Sequence, residues 1–291
     1  MYLVLFSVAV LGAIVGSFIN ALVFRFRLGE GMMGRSHCMA CNHTLSALDL
    51  VPFFSFAFLR GRCRYCGVSI SAQYPFIEAV GALLAVGVFL VNPLPLPFLI
   101  AFFFWMTVLF ATVYDFRYQE LPNNALIVCS VLGLASLFIQ CSLDSCVIVV
   151  PTVFSMLAGP IVALPLFAIS ALSSERAMGW GDGFFILGFG WLLGVTGGFS
   201  ALCIGVWSGA IVGLIMIAME GFIRKYTSPQ LSPSQEEGAG QKNRVMHTKH
   251  SANEHVRVTM KSKIPFAPFI TLGALAVYFL HANFLAVLSA F

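Results

Sequence analysis

Long apolar runs separated by short polar breaks dominate the chain, and run length carries the first inference. Runs cover residues 1–24, about 75–91, 98–114, 123–140, 147–172 and 264–291, with a continuous tract over 184–218. Each is long enough to be read as a membrane-spanning helix or close to it. The tract 184–218 is too long for one span: as a single helix it would measure about 50 Å against a hydrocarbon core of about 30 Å. The pair Gly197-Gly198 near its middle is the expected turn, so the tract is read as a hairpin of two spans. The pattern predicts an all-α polytopic membrane protein with about eight transmembrane helices. Gly12 and Gly16 in the first run, and Gly205, Gly209 and Gly213 in the seventh, fall at the spacing of a close helix-packing face.

The polar stretches complete the layout: helix 1 over 1–24, a small cytoplasmic domain over 25–74, helices 2–7 over 75–221, a flexible cytoplasmic linker over 222–263, and helix 8 over 264–291. The linker is rich in Ser, Gln, Glu, Lys and His, with too little apolar surface to fold alone. Its His247, His250 and His255 read as a solvated run rather than a metal site. The first run lacks a basic leader region and is long enough to span, so it reads as a helix rather than a cleavable signal.

Composition and charge sharpen this. Of 291 residues 59% are hydrophobic and 10% charged, with mean hydropathy +0.92, where a soluble domain carries about 25% charged residues. With eight spans the connections alternate sides, and all 16 Lys and Arg fall on one of them. That side is expected to be cytoplasmic, with both termini outside. The basic loops lack the aromatic interleaving of a nucleic-acid surface, so they read as topology determinants, with the lipid bilayer as partner and no nucleic acid.

The domain over 25–74 carries Cys38-x2-Cys41 and Cys63-x2-Cys66. Four thiolates at this spacing suit a tetrahedral zinc ion. A cytoplasmic location argues against disulfides, and a domain this small gains folding free energy from a metal. Redox-active or merely structural thiols are the alternative. His37 and His43 lie beside the first pair as substitute ligands. Cys129, Cys141, Cys146 and Cys203, in apolar runs, read as buried small residues.

Two carboxylates stand at the cytoplasmic ends of different spans. Asp115 closes the third, and Asp182 follows Met178-Gly179-Trp180-Gly181 and opens the sixth. Counting along the helices puts Asp182 about 22 Å below the hairpin turn and Asp115 about 27 Å from the outer end of its span. Both land near the cytoplasmic boundary. If they meet, they cannot both ionise easily, and a shared-proton pair can activate water, as in aspartic proteases. A solvated loop acid is the alternative reading of Asp182. Glu78, early in span two, is also near the cytoplasmic face, whereas Asp49 and Glu120 look like ordinary loop acids and Asp144 lies outside. No GxSxG, GxxxxGK[ST] or HExxH occurs.

Together these residues resemble the bacterial type IV prepilin peptidases, which are GxGD intramembrane aspartic proteases. Gly16-Ser17-Phe18-Ile19-Asn20 is similar to the family's early GSFLN motif, Cys38 to Cys66 to its cysteine domain, and Tyr74-Pro75-Phe76-Ile77-Glu78 to its YPxxE segment. Asp115, seven residues before Pro122, and Gly179-Trp180-Gly181-Asp182 stand where the two catalytic aspartates are expected. Ile264-Pro265-Phe266-Ala267-Pro268-Phe269 resembles the segment opening the last helix. The resemblance implies cleavage of prepilin and pseudopilin leaders at the cytoplasmic face of the bacterial inner membrane. It also implies N-methylation of the new terminus from S-adenosylmethionine, in type IV pilus or type II secretion systems. Asp115 and Asp182 would be the acid and base, with structural Zn2+ on Cys38, Cys41, Cys63 and Cys66, and Glu78 as a contributor to the methyl-donor site.

Departures are visible. The family usually has Phe-Lys after GxGD, and Gly183-Phe184 stands here; Arg117 replaces a frequent acid, Asn123 a usual Asp and Ala267 a usual Gly. Two other readings stay open at this stage: a non-cleaving, zinc-bearing membrane scaffold, and a transporter using the two aspartates as an ion or proton path.

Overall fold

The computed structural model describes residues 1–29, 34–141, 145–173, 178–227 and 265–281. It is helical: α1 (Tyr2–Leu28), a short α2 (Phe54–Phe58), α3 (Gln73–Val91), α4 (Pro95–Tyr118), α5 (Asn123–Ser136), α6 (Val153–Ser173), α7 (Trp180–Thr227) and α8 (Ala267–Leu280). A hairpin of β1 (Ile139–Cys141) and β2 (Cys146–Ile148) separates α5 from α6. Five helices are long and apolar enough to cross a membrane, and α5 and α8 are shorter apolar helices. Helices are the expected form because in hydrocarbon each backbone polar group must be satisfied within its own segment.

The chain divides into two compact units, Met1–Val206 with Pro265–Phe291, and Trp207–Ile264. Of the second, the structure describes the helical stretch that ends at Thr227. Residues 228–263 with the three linker histidines, and Asp144 and Arg176, lie outside the described residues.

Within the first unit α1 packs along α3. Gly12 meets the backbone of Gly81, and Gly16 meets Ile77 and Glu78 so closely that a Cβ there would stand 2.8 Å from the Ile77 carbonyl. One turn on, Asn20 is 1% exposed and donates to the carbonyls of Gly16 (3.4 Å) and Tyr74 (3.3 Å). Helix α4 is the most enclosed span, with Phe104 and Trp105 fully buried among Phe189, Tyr278 and Phe279. The Thr112 and Thr271 hydroxyls hydrogen bond at 2.8 Å and fix α8 against α4.

Three expectations need correction. The long tract is a hairpin, but it turns at Gly194 (φ 72°, ψ 179°) rather than at Gly197-Gly198. A positive φ is a conformation glycine adopts without penalty. Gly198 serves packing instead: a Cβ on it would lie 2.8 Å from Val162 and 3.2 Å from Gly190. The apolar run 123–140 stops being helical at Ser136, and its end pairs as antiparallel strand, Ile139 with Ile148 and Cys141 with Cys146. Cys146 is accordingly disulfide-bonded and not a buried thiol, whereas Cys129 is a fully buried free thiol and Cys203 a half-buried one.

Candidate active site

Asp115 lies in the last turn of α4 and is 6% exposed. Its Oδ2 accepts the backbone N–H of Ala267 at 3.0 Å. Ala267 is the first residue of α8, where helical N–H groups have no partner of their own, so Asp115 caps a helix 152 positions away. Pro268, which follows, has no N–H of its own to offer. The Thr112–Thr271 bond sits one turn from this contact on each helix and holds its register.

Asp182 stands in the first turn of α7, half-buried, and within electrostatic reach of Asp115. Three contacts set its position. The Ser170 hydroxyl, completely buried at the end of α6, shares its one O–H between the Met178 carbonyl (3.0 Å) and that of Gly179 (3.1 Å). Gly181 rests on Leu121, at the head of α5. Gly183 lies under the ring of Phe167, where a Cβ would come within 2.5 Å of two ring atoms. That ring is packed between Trp180 (5.8 Å) and Phe184 (5.0 Å). A ring from α6 thus covers the residue after Asp182, and Phe184 is 47% exposed.

Arg117 and Arg27 are engaged elsewhere. Arg117 lies over the Phe24 ring at 4.1 Å and donates to Gln73 at 3.2 Å, and Arg27 pairs with Glu120 at 3.0 Å. Among the described residues neither Asp115 nor Asp182 has a salt-bridge partner. Two carboxylates that feel each other, with no neutralising cation among the described residues, favour holding one proton between them.

The cysteine domain is built from one turn used twice. Cys38 N–H donates to the His43 carbonyl (2.9 Å) and Asn42 N–H to the Cys38 carbonyl (2.8 Å). In the second half Cys63 donates to Val68 (2.8 Å) and Gly67 to Cys63 (3.0 Å). The turns are closed by the bridges His37–Thr44 and Arg62–Ser69, with Asn42 (φ 56°) and Gly67 (φ 71°) at equivalent left-handed positions. The four sulfurs of Cys38, Cys41, Cys63 and Cys66 lie within 4.8 Å of one another, and Cys38 and Cys66 are 3.9 Å apart. Thiolates about 2.3 Å from a tetrahedral ion stand about 3.8 Å apart, so the cluster fits a metal such as zinc. The N–H groups of Cys41 and Ala40 draw the Cys38 thiol down to about 6. Cys66 is pushed up to about 11: the Val68 N–H favours its thiolate, but burial and the other three cysteines outweigh it. His43 lies against the Tyr65 ring, centroids 3.7 Å apart and tilted by 35°, and outside the four-cysteine cluster.

Asp49 is no ordinary loop acid. Its side chain is 3% exposed, accepts from the Ser46 N–H (3.0 Å) and hydroxyl (2.7 Å) and from Tyr65 (3.2 Å), and pairs with Arg64 at 2.8 Å. Burial alone would raise its pKa, but the Ser46 bonds, Arg64 and Tyr65 hold it below the usual carboxylate range. It ties the loop after the first cysteine pair to the residues inside the second. Its one sequence signal was Ser46-x-x-Asp49, the spacing of a capping box, which the structure contains. Ser170 and Phe167 carried no local signal, since each acts on a segment reached only through the fold.

Glu78 is 6% exposed in the first turns of α3 and accepts the Phe53 N–H at 2.9 Å. It lines a cavity of about 380 Å³ between α1, α3 and the cysteine domain. It is therefore not brought together with the Asp115–Asp182 pair but belongs to a separate site.

Residues 10–91 match the family described as Bacterial Peptidase A24 N-terminal domain. Curated relatives include a prepilin leader peptidase/N-methyltransferase of Aeromonas hydrophila, 33% identical over 64% of this chain and 61% of the relative. Another, of Bacillus subtilis (strain 168), is 29% identical over 70% and 79%. A third, of Myxococcus xanthus (strain DK1622), is 43% identical over 26% and 23%. The matched stretch thus spans less than two thirds of the Myxococcus and Aeromonas proteins. No solved structure matches the chain.

Proposed function

We propose that the chain, which is similar to bacterial prepilin leader peptidases, is a membrane aspartic endopeptidase. It removes the leader from type IV prepilins or type II secretion pseudopilins, with Asp115 and Asp182 as the catalytic pair. One observation carries this reading: two carboxylates from α4 and α7 lie within electrostatic reach, without a salt-bridge partner among the described residues, and one of them accepts a hydrogen bond from the α8 N-terminus. The ionised member takes a proton from water, and the hydroxide adds to the scissile carbonyl carbon. The protonated member delivers its proton to the carbonyl oxygen. Collapse of the tetrahedral adduct then breaks the C–N bond, and the proton held by the first aspartate passes to the leaving amine.

The protein sits in the bacterial inner membrane with its basic loops and the aspartate pair toward the cytoplasm and both termini periplasmic. The disulfide at Cys146 supports this topology, because the β-hairpin is on the side opposite the basic loops and disulfides persist on the oxidising side. Cys38, Cys41, Cys63 and Cys66 hold a structural zinc ion. The amine released by cleavage is then methylated, with S-adenosylmethionine supplying the methyl group.

The test is leader cleavage by membranes containing the full-length protein and a prepilin, read by product mass with and without S-adenosylmethionine. Asp115→Asn and Asp182→Asn are each expected to abolish cleavage. Cleavage retained in either variant refutes the assignment.

A further inference from the structure

One stretch of the polar domain is strongly apolar. Val51-Pro52-Phe53-Phe54-Ser55-Phe56-Ala57-Phe58-Leu59 contains a single polar side chain, and Arg60-Gly61-Arg62 follows it directly. Helix α2 divides these residues between two faces. Phe54 and Phe58 stand four apart, on one side of the helix, and Phe56 stands on the other. Phe56, with Ser55 and Leu59, lines the cavity beside Glu78. Gly61 rests on the Phe56 ring, where a Cβ would stand 3.0 Å away. The opposite face is bare: Phe54 is 65% and Phe58 84% exposed. A helix of five residues has little stability of its own in water, and two neighbouring phenylalanines this exposed mark a surface that another phase or molecule covers.

Two observations say what covers it. The first is height. The cavity under α2 is also lined by Ser17 of α1 and Pro75 of α3, both inside helices long and apolar enough to cross a membrane. Ser17 lies about 16 Å along α1 from Leu28, the end that leads into the cysteine domain. Glu78, which accepts the Phe53 N–H at the head of α2, is likewise inside α3. Helix α2 is therefore held beside the two spans, at the level where they leave the hydrocarbon. The second is charge. Arg60 and Arg62 are exposed and form no ion pair among the described residues, whereas Arg64 is paired with Asp49. Exposed rings followed by unpaired guanidinium groups match the acyl boundary and the anionic headgroups of one leaflet.

We propose that α2 is an interfacial membrane anchor: Phe54 and Phe58 enter the leaflet on the side of the basic loops, and Arg60 and Arg62 contact anionic phospholipid headgroups. The cysteine domain is thereby tied to the membrane at a point besides α1 and α3. This surface is independent of the catalytic reading above.

The test uses the full-length protein in nanodiscs of phosphatidylglycerol or of phosphatidylcholine. Phe54→p-benzoylphenylalanine and Phe58→p-benzoylphenylalanine, irradiated separately, are each expected to give phospholipid adducts by mass spectrometry. Thermal unfolding reports whether each variant is folded. A second measurement needs no variant: tryptic cleavage after Arg60 and Arg62, normalised to a soluble peptide cut in the same sample. It is expected to be about 30-fold slower in phosphatidylglycerol than in phosphatidylcholine, since two headgroup contacts must break first. Equal tryptic rates in the two lipids, or a folded variant without lipid adducts, overturn the anchor. Adducts to a second copy of the chain in place of lipid make the face a self-interface, and adducts to added prepilin in place of lipid make it a substrate seat; either result also overturns the proposal.

Discussion

Gly183→Ala separates local from tertiary control at the candidate active site. Inside a helix, replacing Gly with Ala ordinarily gains about 1 kcal/mol. At 183 the added Cβ would lie 2.5 Å from two carbons of the Phe167 ring, which is itself confined by Trp180 and Phe184. Overpacking of this kind costs about 1–3 kcal/mol, so the clash should outweigh the propensity gain by up to about 2 kcal/mol. The strain falls on the residue after Asp182, where a shift of about 1 Å can cost about 100-fold in rate. Thermal unfolding in detergent and prepilin cleavage are the two readouts: a melting point lower by about 2–6 °C and cleavage slower by about 10- to 100-fold are expected. In a Phe167→Ala background the same substitution has room and should stabilise, giving a coupling of about 1–3 kcal/mol in the double-mutant cycle. If Gly183→Ala raises the melting point in wild type and the coupling is zero, the packing argument is wrong.

Ser170→Ala should leave the fold intact but free the Met178 and Gly179 carbonyls, lowering kcat for cleavage about 10-fold with little change in KM, whereas Ser170→Thr should recover most of the rate. Asp49→Asn should destabilise the cysteine domain by about 1–3 kcal/mol at neutral pH, measured as earlier zinc release on heating. Because the folded Asp49 titrates below its unfolded value of about 3.9, its contribution is complete above about pH 4 and is lost as pH falls through the lower folded value; the difference between wild type and Asp49→Asn should therefore vanish in acid. Chelation of the metal, or Cys63→Ser, should unfold the cysteine domain, read as exposure of Cys38, Cys41 and Cys66 to a thiol reagent, while Cys129, in the core, stays unreactive.

Run length alone determined the helical character of the chain. Hydrocarbon permits few backbone arrangements, so apolar runs become helices wherever they are long enough, and lysine and arginine placement orients them. The hairpin within 184–218 followed from length, and the cysteine pairs announced a tetrahedral cluster because ligands two residues apart share one turn. Counting along the helices also led to the expectation that Asp115 and Asp182 lie at a similar depth. What counting could not supply was lateral and conformational. The turn fell at Gly194 rather than Gly197-Gly198 because Gly198 is needed against Val162 and Gly190, a contact visible only once α6 and α7 pack. The capping of α8 by Asp115, the hold of Ser170 on the loop before Asp182 and the Phe167 ring over Gly183 all join segments through the fold. Asp49 and Glu78, similar as isolated acids, were told apart by what surrounds them: one is tied to Ser46, Tyr65 and Arg64 inside the cysteine domain, and the other accepts the Phe53 N–H beside a cavity. A side chain's chemistry is written in the chain, but its partners, and hence its charge and use, are set by the residues the tertiary structure brings to it.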